Sequence, residues 1–331
     1  MSVDLSKLKE LDQRHTQLCT QYGRYVSQEF PESATADSIE HLPFLPVAAF
    51  KHFELKSIPD DDVYRVMFSS GTGGDRSKVF LDRETARAQT SELSKTLIRE
   101  FGASRLPMVN VQSSDTGEGR FTASRAAVNG FAIMANKLLD ISVKPDHKEL
   151  EAIHSQTIGG VSFVFGFTFN LWLFLNHLEQ AGISNFLPHS LVIHGGGWKR
   201  LEDQKISGFD FNLLAKKILG ASRVANYYGL VEQTGTIFMD CEFGNMHEPP
   251  SGALIIRRQG DLSPASSGEI GLIQVLSAIQ KSYPGHSILT EDLGTWRPSS
   301  DCKCGNKGKI LKVIGRAKQA EIRGCSDAQL S

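Results

Sequence analysis

The ten residues from Ser69 to Lys78 carry the side chains best suited to chemistry in this chain. They read SSGTGGDRSK, so three glycines, an arginine and a lysine stand among serine and threonine hydroxyls. Glycine lets backbone N–H groups approach an anion closely, and hydroxyls and cations add charge-assisted hydrogen bonds. The pattern predicts a loop that binds the phosphates of a nucleoside triphosphate. A Gly/Ser surface turn between two strands is the simpler alternative.

The same segment differs from the phosphate loop of P-loop NTPases, which ends in Gly-Lys-Ser/Thr and leads into a helix. Here Lys78 has no glycine before it, and Val79 to Leu81 is apolar and predicts a strand. A helix is predicted afterwards over 83–101, with Asp82 as its N-cap. With a first strand at 63–69, the order is strand, loop, strand, helix, which argues against a P-loop NTPase.

The elements that must position this loop follow from apolar patterning along the chain. Residues 1–30 predict amphipathic helix that ends at Pro31, and Asp210 is expected to cap a helix that Gly220 ends. The predicted strands are 108–112, 190–194, 222–226, 252–257, 269–276 and 309–314, and the other helices are 121–139, 169–181 and 210–219. This alternation predicts layered, mostly parallel sheets up to about residue 230 and a small β-rich subdomain after 250.

Composition limits the classes of protein that need be considered. The 331 residues are 40% hydrophobic and 22% charged with a net charge of −1, as in a soluble globular protein with one large α/β domain and a small appendage. Near-zero charge gives no support for nucleic acid as a partner. The first ten residues are polar, and Val161 to Leu175 is too short and too polar to span a bilayer, so neither a signal peptide nor membrane insertion is expected.

Two further glycine-containing motifs follow predicted strands. His194 to Lys199 reads HGGGWK, and Gly195 to Gly197 would let a flat ligand lie against bare backbone at the strand's carboxyl end. Asn226 to Glu232 reads NYYGLVE, in which Tyr228 offers a face for adenine, Gly229 permits a turn and Glu232 could hold Mg²⁺. A plain tight turn and a helix-start glutamate are the respective alternatives.

Two motifs near the end of the chain carry charge next to glycine. Leu289 to Gly294 reads LTEDLG and places Asp292 between a strand and a glycine turn, where its carboxylate could accept hydrogen bonds from ribose hydroxyls. Gly315 and Arg316 follow the last predicted strand as a hinge with a cation able to reach ribose or phosphate. A polar turn and a solvated basic loop are the alternatives.

The order of these motifs resembles that of the adenylate-forming ligase superfamily. The closer resemblance is to the LuxE-type acyl-protein synthetases, also called long-chain-fatty-acid–luciferin-component ligases. It covers roughly residue 20 to the end and rests on the blocks SSGTGGDRSK, HGGGWK, YYGLVEQ, SYPGHSILTEDLG, CKCG and GRAKQAEIRGCSD. The fold it implies is the large α/β domain of these ligases over 1–314, with a β-rich part at 250–314, then a hinge and short tail at 315–331.

The resemblance also implies a role for each matching residue. The loop would bind the ATP phosphates through Ser69, Ser70, Gly71, Thr72, Gly73 and Gly74. The adenine and acyl pocket would be flanked by Gly195, Gly196 and Gly197, with Gly229 in the neighbouring turn. The remaining roles would fall to Tyr228 at adenine, Glu232 at Mg²⁺, Asp292 at ribose and Arg316 at ribose or phosphate. His154 falls in a region that lies near the acyl pocket of such enzymes.

The implied activity is that of a cytoplasmic ligase. An acid, expected to be a fatty acid, would be activated by ATP and Mg²⁺ as an acyl-adenylate and transferred to Cys325 or to an acyl-accepting protein such as a fatty-acid reductase or a carrier. Only seven residues follow Gly324, so the usual lid with its catalytic lysine is expected to be truncated, with Lys78, Lys199 or a partner in its place. An acid–CoA ligase of the phenylacetate type and a non-catalytic nucleotide-binding scaffold are the alternatives.

The cysteines raise a separate possibility. The chain has five, an odd number without a recognisable signal peptide, which indicates a reducing compartment. Cys241, His247, Cys302 and Cys304 together offer three thiols and an imidazole, a tetrahedral zinc set by ligand type. The sequence therefore predicts either a structural Zn²⁺ site or two unrelated cysteine pockets.

Overall fold

Helices and strands alternate through the first two thirds of the chain, and strands dominate the last third. The computed structural model describes residues 3–69, 76–112, 123–157, 159–198 and 205–317. Its helices are α1 (Leu5–Leu18), α2 (Thr20–Glu29), α3 (Ala49–His52), α4 (Arg83–Phe101), α5 (Ala123–Phe131), α6 (His147–Thr157), α7 (Thr168–Gln180) and α8 (Gly208–Leu219). Its strands are β1 (Leu45–Pro46), β2 (Arg65–Phe68), β3 (Lys78–Leu81), β4 (Leu106–Gln112), β5 (Ala135–Ser142), β6 (Phe163–Phe167), β7 (Leu191–Gly195), β8 (Arg223–Tyr228), β9 (Phe238–Asp240), β10 (Met246–His247), β11 (Gly252–Arg257), β12 (Gly271–Ser277), β13 (Ser287–Arg297) and β14 (Ile310–Arg316).

One large sheet organises the chain, in the order β11-β12-β13-β14-β10-β9-β8-β7-β6-β4-β5, with β1 beside β13. Strands β5, β4, β6, β7 and β8 are parallel to one another. From the β8–β9 pair through β11, the neighbours are antiparallel. Strands β2 and β3 form a separate antiparallel hairpin. The predicted α/β class is confirmed, and the β-rich segment continues the same sheet.

The central parallel strands β4, β6 and β7 are buried because helices cover both of their faces. Side chains alternate along each strand, so Val109 and Val164 point to the face covered by α7 and α8, whereas Met108, Phe163 and Phe165 point to the face covered by α4 and α5. The antiparallel half packs against α2 on one face and against α1 on the other. This layering leaves the carboxyl ends of β6, β7 and β8 together at one edge.

Capping residues in the sequence predicted where the helices that flank the sheet begin and end. The predicted helix over 83–101 is confirmed as α4, and the Asp82 Oδ1 atom accepts a hydrogen bond from the Thr85 backbone N–H at 2.7 Å. Helix α8 ends as predicted at Gly220, whose φ is +73°. The predicted Asp210 cap is wrong: Ser207 is the N-cap, and its Oγ atom accepts from the Asp210 N–H at 3.1 Å.

The helix predicted over 121–139 is wrong in its second half. Helix α5 ends at Phe131, a short 3₁₀ turn follows, and β5 begins at Ala135. Leu139 and Ile141 alternate with exposed neighbours along β5, which pairs with β4 at the edge of the sheet. Hydrogen bonding to β4 therefore overrides the local helical pattern, because a long-range ladder satisfies the backbone of this segment.

None of the helices in the described residues is both long and apolar enough to cross a bilayer.

Candidate nucleotide site

The glycine triplet lies at the carboxyl edge of the parallel strands. Phe167, Gly195 and Tyr227 pair with one another across β6, β7 and β8, so the residues after them leave the sheet at one level. In open α/β sheets this edge is where ligands bind. The structure thus places the predicted glycine and tyrosine motifs side by side.

Gly195, Gly196 and Gly197 differ in the structural reason why each position suits glycine. A Cβ atom at Gly195 would lie 2.7 Å from the Tyr227 carbonyl oxygen, so strand packing there requires glycine. Gly196 has a φ of +77°, and its Cβ would lie 2.7 Å from the Phe167 ring. Gly197 has a φ of +67° but no heavy atom of the described chain lies within 4 Å of a Cβ built on it. Bare backbone that a ligand can approach is therefore found at Gly197.

A buried pair that sequence reasoning missed holds the start of this turn. The Thr168 hydroxyl donates to the Gly195 carbonyl at 3.1 Å and lies 3.0 Å from the His194 Nδ1 atom. Burial lowers the pKa of His194 to about 3, so the ring is neutral and its Nδ1–H can donate to Thr168. The position of His194 before three glycines was the available signal, whereas Thr168 is distant in sequence.

Tyr228, Asp292 and Arg316 come together from three strands. The Tyr228 hydroxyl donates to Asp292 Oδ2 at 2.8 Å, and the Arg316 Nε atom lies 3.8 Å from Asp292 Oδ1. Asp292 and Arg316 are cross-strand partners in the β13–β14 ladder. The predicted turn after Asp292 is wrong, since Asp292 to Gly294 lie within β13. Gly315 and Arg316 are the last two residues of β14, and the hinge predicted there stays a prediction. The predicted nucleotide residues Tyr228, Asp292 and Arg316 are neighbours.

Opposing effects act on the pKa of the Asp292 carboxyl. Burial raises its pKa, while the Tyr228 hydrogen bond and the Arg316 charge lower it. Its side chain is 21% exposed, and that of Arg316 is 78% exposed. A partly exposed carboxylate can accept hydrogen bonds from a ligand, and the exposed cation beside it can offset the charge of an anion.

Glu232 lies in a 3₁₀ turn, Val231–Gln233, directly after β8. Its side chain is buried, and burial raises its pKa, against which the Ser77 side chain and the Lys51 charge act. Ser77 closes the neck of the predicted phosphate loop, where the Ser69 N–H donates to the Ser77 carbonyl at 3.1 Å and the Ser77 N–H to Ser69 Oγ at 3.0 Å. The neck of that loop and the predicted magnesium ligand are therefore adjacent.

Gln233 anchors the turn that carries Glu232. Its Nε2 amide donates to the Val275 carbonyl at 3.1 Å and the Gly285 carbonyl at 2.9 Å. A Cβ atom at Gly285 would lie 2.7 Å from the Glu232 carbonyl oxygen, so the SYPGHS segment packs directly on this turn. Sequence reasoning used that segment only for its resemblance and assigned no role to Gln233.

Other predicted site residues fall elsewhere. Ser70, Gly71, Thr72, Gly73, Gly74, Lys199 and Cys325 lie outside the described residues. Lys78 is half-exposed at the start of β3, and its Nζ atom lies 3.9 Å from Glu54 Oε1. Gly229 packs against Ile237, since its Cβ would lie 2.9 Å from the Cγ2 atom. His154 is exposed on α6.

The sequence-predicted cysteine and histidine set forms one cluster. The ligand atoms of Cys241, His247, Cys302 and Cys304 all lie within 4.8 Å of one another. Cys241 and His247 are buried, and Cys302 and Cys304 are partly exposed. The alternative of two unrelated cysteine pockets is therefore wrong.

Comparison with known proteins decides the family. The family described as "Acyl-protein synthetase, LuxE" matches residues 5–330. The chain belongs to this LuxE family. Two relatives named long-chain-fatty-acid–luciferin-component ligase come from Aliivibrio fischeri (21% identical, covering 87% of this chain and 78% of the relative) and Vibrio harveyi (22% identical, covering 97% and 88%). The resemblance seen in the sequence motifs is confirmed.

Solved structures share the fold of this LuxE-family chain. An open conformation of 2-hydroxyisobutyryl-CoA ligase, in complex with 2-HIB-AMP and CoA, superposes with a TM-score of 0.74 at 12% identity, covering 94% of this chain and 68% of that one. ATP-bound MatB from Rhodopseudomonas palustris gives a TM-score of 0.51 at 15% identity over 78% of this chain, which spans about half (49%) of MatB. The predicted adenylate-forming ligase fold is confirmed.

Proposed function

We propose that this protein uses ATP to activate a carboxylic acid, with fatty acids as the substrate class, and passes the acyl group to a protein cysteine. The observation that carries this proposal is the LuxE acyl-protein synthetase match over residues 5–330. The convergence of Tyr228, Asp292 and Arg316 beside the glycine triplet supports a nucleotide site at the same edge.

The reaction has two steps. A carboxylate oxygen of the acid attacks the α-phosphorus of ATP, the bond to the β-phosphate oxygen breaks, and pyrophosphate leaves with that electron pair. A thiolate then attacks the carbonyl carbon of the acyl-adenylate, and AMP leaves as the thioester forms. The enzyme must stabilise negative charge on the phosphates in the first step and expose the acyl carbonyl in the second.

The described residues suit the binding tasks that these two steps require. Asp292 would accept hydrogen bonds from the ribose hydroxyls, Arg316 would contact ribose or phosphate, and Tyr228 would hold the Asp292 carboxylate ionised. Gly197 would let the adenine or the acyl group lie against the backbone. The neck of the Ser69–Lys78 segment, at Ser77, would bring ATP phosphates toward Glu232.

The surroundings of Glu232 fit a divalent cation. A buried carboxylate whose pKa is raised by burial is favoured as an anion when a cation is bound to it. Carboxylate oxygens suit Mg²⁺, which binds through one or two carboxylates together with substrate phosphates. When bound, Mg²⁺ would offset phosphate charge, while Gln233 and Gly285 hold the backbone of the turn that carries Glu232.

The acyl acceptor is proposed to be Cys325, with onward transfer to a second protein such as a fatty-acid reductase or an acyl carrier. The family description names acyl-protein synthesis rather than synthesis of a CoA thioester. A cytoplasmic location would suit a free thiol, since a reducing environment keeps it available.

The test is acid-dependent exchange of labelled pyrophosphate into ATP over a panel of carboxylic acids, with the wild type and a Cys325→Ser variant. We expect exchange in both proteins, because adenylation precedes thiol attack, and hydroxylamine-sensitive labelling by radioactive acid in the wild type alone. Cys19→Ala is the matched control, because Cys19 is packed in the core, and it should retain the label.

Three results would contradict the proposal. No exchange with any acid would indicate a nucleotide-binding scaffold. Exchange followed by release of acyl-CoA on addition of CoA, without protein labelling, would indicate an acid–CoA ligase. Labelling that survives in Cys325→Ser would place the acyl group on another residue.

A further inference from the structure

The Cys241–His247–Cys302–Cys304 cluster has no part in the proposed reaction, and its geometry carries its own assignment. Cys241 directly follows β9, His247 lies in β10, and both Cys302 and Cys304 lie in the loop that leads into β14. Two segments separated by about sixty residues in sequence therefore deliver donors to one point. We propose that these four side chains bind one Zn²⁺ ion as a structural site.

The distances suit a tetrahedral ion. With Zn–S bonds of about 2.3 Å and Zn–N bonds of about 2.0 Å, tetrahedral ligands stand about 3.8 Å apart for two sulfurs and about 3.5 Å apart for sulfur and nitrogen. The Cys241 and Cys302 Sγ atoms are 3.6 Å apart, and the Cys304 Sγ and His247 Nε2 atoms are 3.3 Å apart. All four ligand atoms lie within 4.8 Å of one another, so small side-chain adjustments would bring the donors to tetrahedral separations.

Donors around the cluster are arranged for thiolates. The Asn245 side-chain amide donates to Cys302 Sγ at 3.3 Å, and the Asn306 backbone N–H donates to Cys304 Sγ at 3.3 Å. N–H groups that point at sulfur stabilise the deprotonated ligand and are the usual surroundings of a bound metal.

Groups farther out hold those donors in place. The Arg297 guanidinium donates to the Asn245 Oδ1 atom at 3.0 Å, which orients the amide toward sulfur. The Asn306 side chain donates to Glu100 Oε1 at 3.1 Å, which fixes the second loop on α4. The positive charge of Arg297 also offsets the net negative charge of three thiolates with one divalent ion.

Both sulfur-bearing turns depend on glycine. Gly244 has a φ of +71° and Gly305 a φ of +79°, and a Cβ built on either would meet no heavy atom of the described chain within 4 Å. Glycine is needed there for the left-handed backbone rather than for space. Tight turns of this kind fold backbone N–H groups toward a cysteine sulfur, as the Asn306 N–H does.

The donor set selects the metal and its role. Thiolate and imidazole ligands favour zinc over magnesium or calcium, and four protein ligands leave no open position for substrate. The ion would fasten the β9–β10 hairpin to the start of β14, whose pairing with β10 has only two residue pairs, Met246 with Leu311 and His247 with Ile310. The assignment stands independently of the proposed ligase activity.

The first test is the metal content of the purified full chain by mass spectrometry, followed by competition with a chromophoric chelator. We expect about one zinc ion per wild-type chain. Cys302→Ser and Cys304→Ser should each lower zinc affinity by at least about 100-fold, because one of four ligand bonds is lost. Cys19→Ala is the matched control and should keep its zinc.

A second measurement does not depend on whether the serine variants fold. The wild type loaded with Co²⁺ should show thiolate-to-cobalt charge-transfer bands of a tetrahedral site, and a His247→Cys variant, which keeps four ligands, should retain the ion and shift those bands. A wild type without zinc that also fails to bind Zn²⁺ or Co²⁺ would overturn the assignment. So would a Cys241–Cys302 disulfide found by thiol titration of the freshly purified, metal-free protein.

Discussion

Replacing Tyr228 by phenylalanine removes one hydroxyl from the proposed nucleotide site and keeps the aromatic face. In the wild type that hydroxyl donates to Asp292 Oδ2 at 2.8 Å and lowers the pKa of a carboxyl that burial otherwise raises. Without it the pKa of Asp292 rises. If the ionised carboxylate binds ribose, the variant should bind ATP as well as the wild type does at high pH. As the pH is lowered, its ATP affinity should begin to fall at a higher pH than that of the wild type.

The magnitude follows from the bond and its exposure. A hydrogen bond to a charged group stabilises it by about 1.5–3 kcal/mol. The Asp292 side chain is 21% exposed, so water can replace part of the lost donor and the lower figure applies. About 1.4 kcal/mol corresponds to a factor of ten, so KM for ATP should rise roughly tenfold on the acid side of the profile and little on the alkaline side.

The assay is the pH dependence of KM for ATP in pyrophosphate exchange. Tyr227→Phe is the matched control, because Tyr227 is the adjacent residue of β8 and its ring packs against Phe131 and Phe165, away from Asp292. It should leave the profile unchanged. Equal shifts in both variants, or a tenfold loss in Tyr228→Phe that does not depend on pH, would refute the link between the hydroxyl and the charge of Asp292.

Two other predictions concern buried titratable groups. Glu232→Gln should lower the pyrophosphate exchange rate by about 100-fold through loss of the proposed Mg²⁺ ligand. It should not lower the free energy of unfolding measured in urea. The control Glu242→Gln, at an exposed position, should change neither the exchange rate nor the free energy of unfolding. Burial lowers the pKa of His15 to about 3, below its unfolded value of 6.5, so the stability gained by keeping it neutral is present above 6.5 and is lost as pH falls toward about 3. Urea unfolding at several pH values should show that the free energy of unfolding depends on pH less steeply in His15→Gln than in the wild type, by up to about 1.4 kcal/mol per pH unit. The same pH dependence in both proteins would contradict the assignment.

Local chemistry explains why much of the secondary structure could be predicted. Helix α4 was predicted to begin after Asp82 because that residue caps its first turn, and in the structure Gly102 follows its last residue. Strands β4, β7 and β8 of the parallel half were predicted because runs such as Leu191 to Ile193 are apolar and bounded by turn residues. Capping and side-chain periodicity act within a few residues, so they can be read directly from the sequence.

Strand β5 and the course of β13 and β14 could not be predicted in the same way. The helical pattern over 121–139 gave no sign that Ala135 to Ser142 would pair with β4. Asp292 was expected beside a turn, yet it lies within β13, where it pairs with Arg316 of β14. Whether a short segment becomes a strand depends on a partner strand whose position is set by the rest of the fold.

In the candidate site, too, local features could be predicted from the sequence and long-range contacts could not. The sequence indicated that Tyr228, Glu232, Asp292 and Arg316 could bind a nucleotide, and motif order indicated the family. It gave no sign that Gln233 would anchor the Glu232 turn through the Val275 and Gly285 carbonyls, because those contacts join residues 42 and 52 positions apart.

The sequence by itself determined which side chains were available for chemistry and where helices such as α4 and α8 would form, since side-chain type, capping and turn residues are local properties. Tertiary structure alone decided which of them meet. The β13–β14 ladder brings Arg316 to Asp292 and the β9–β10 hairpin brings Cys241 and His247 to Cys302 and Cys304, because strand partners and register are fixed by hydrogen bonds and burial between distant segments.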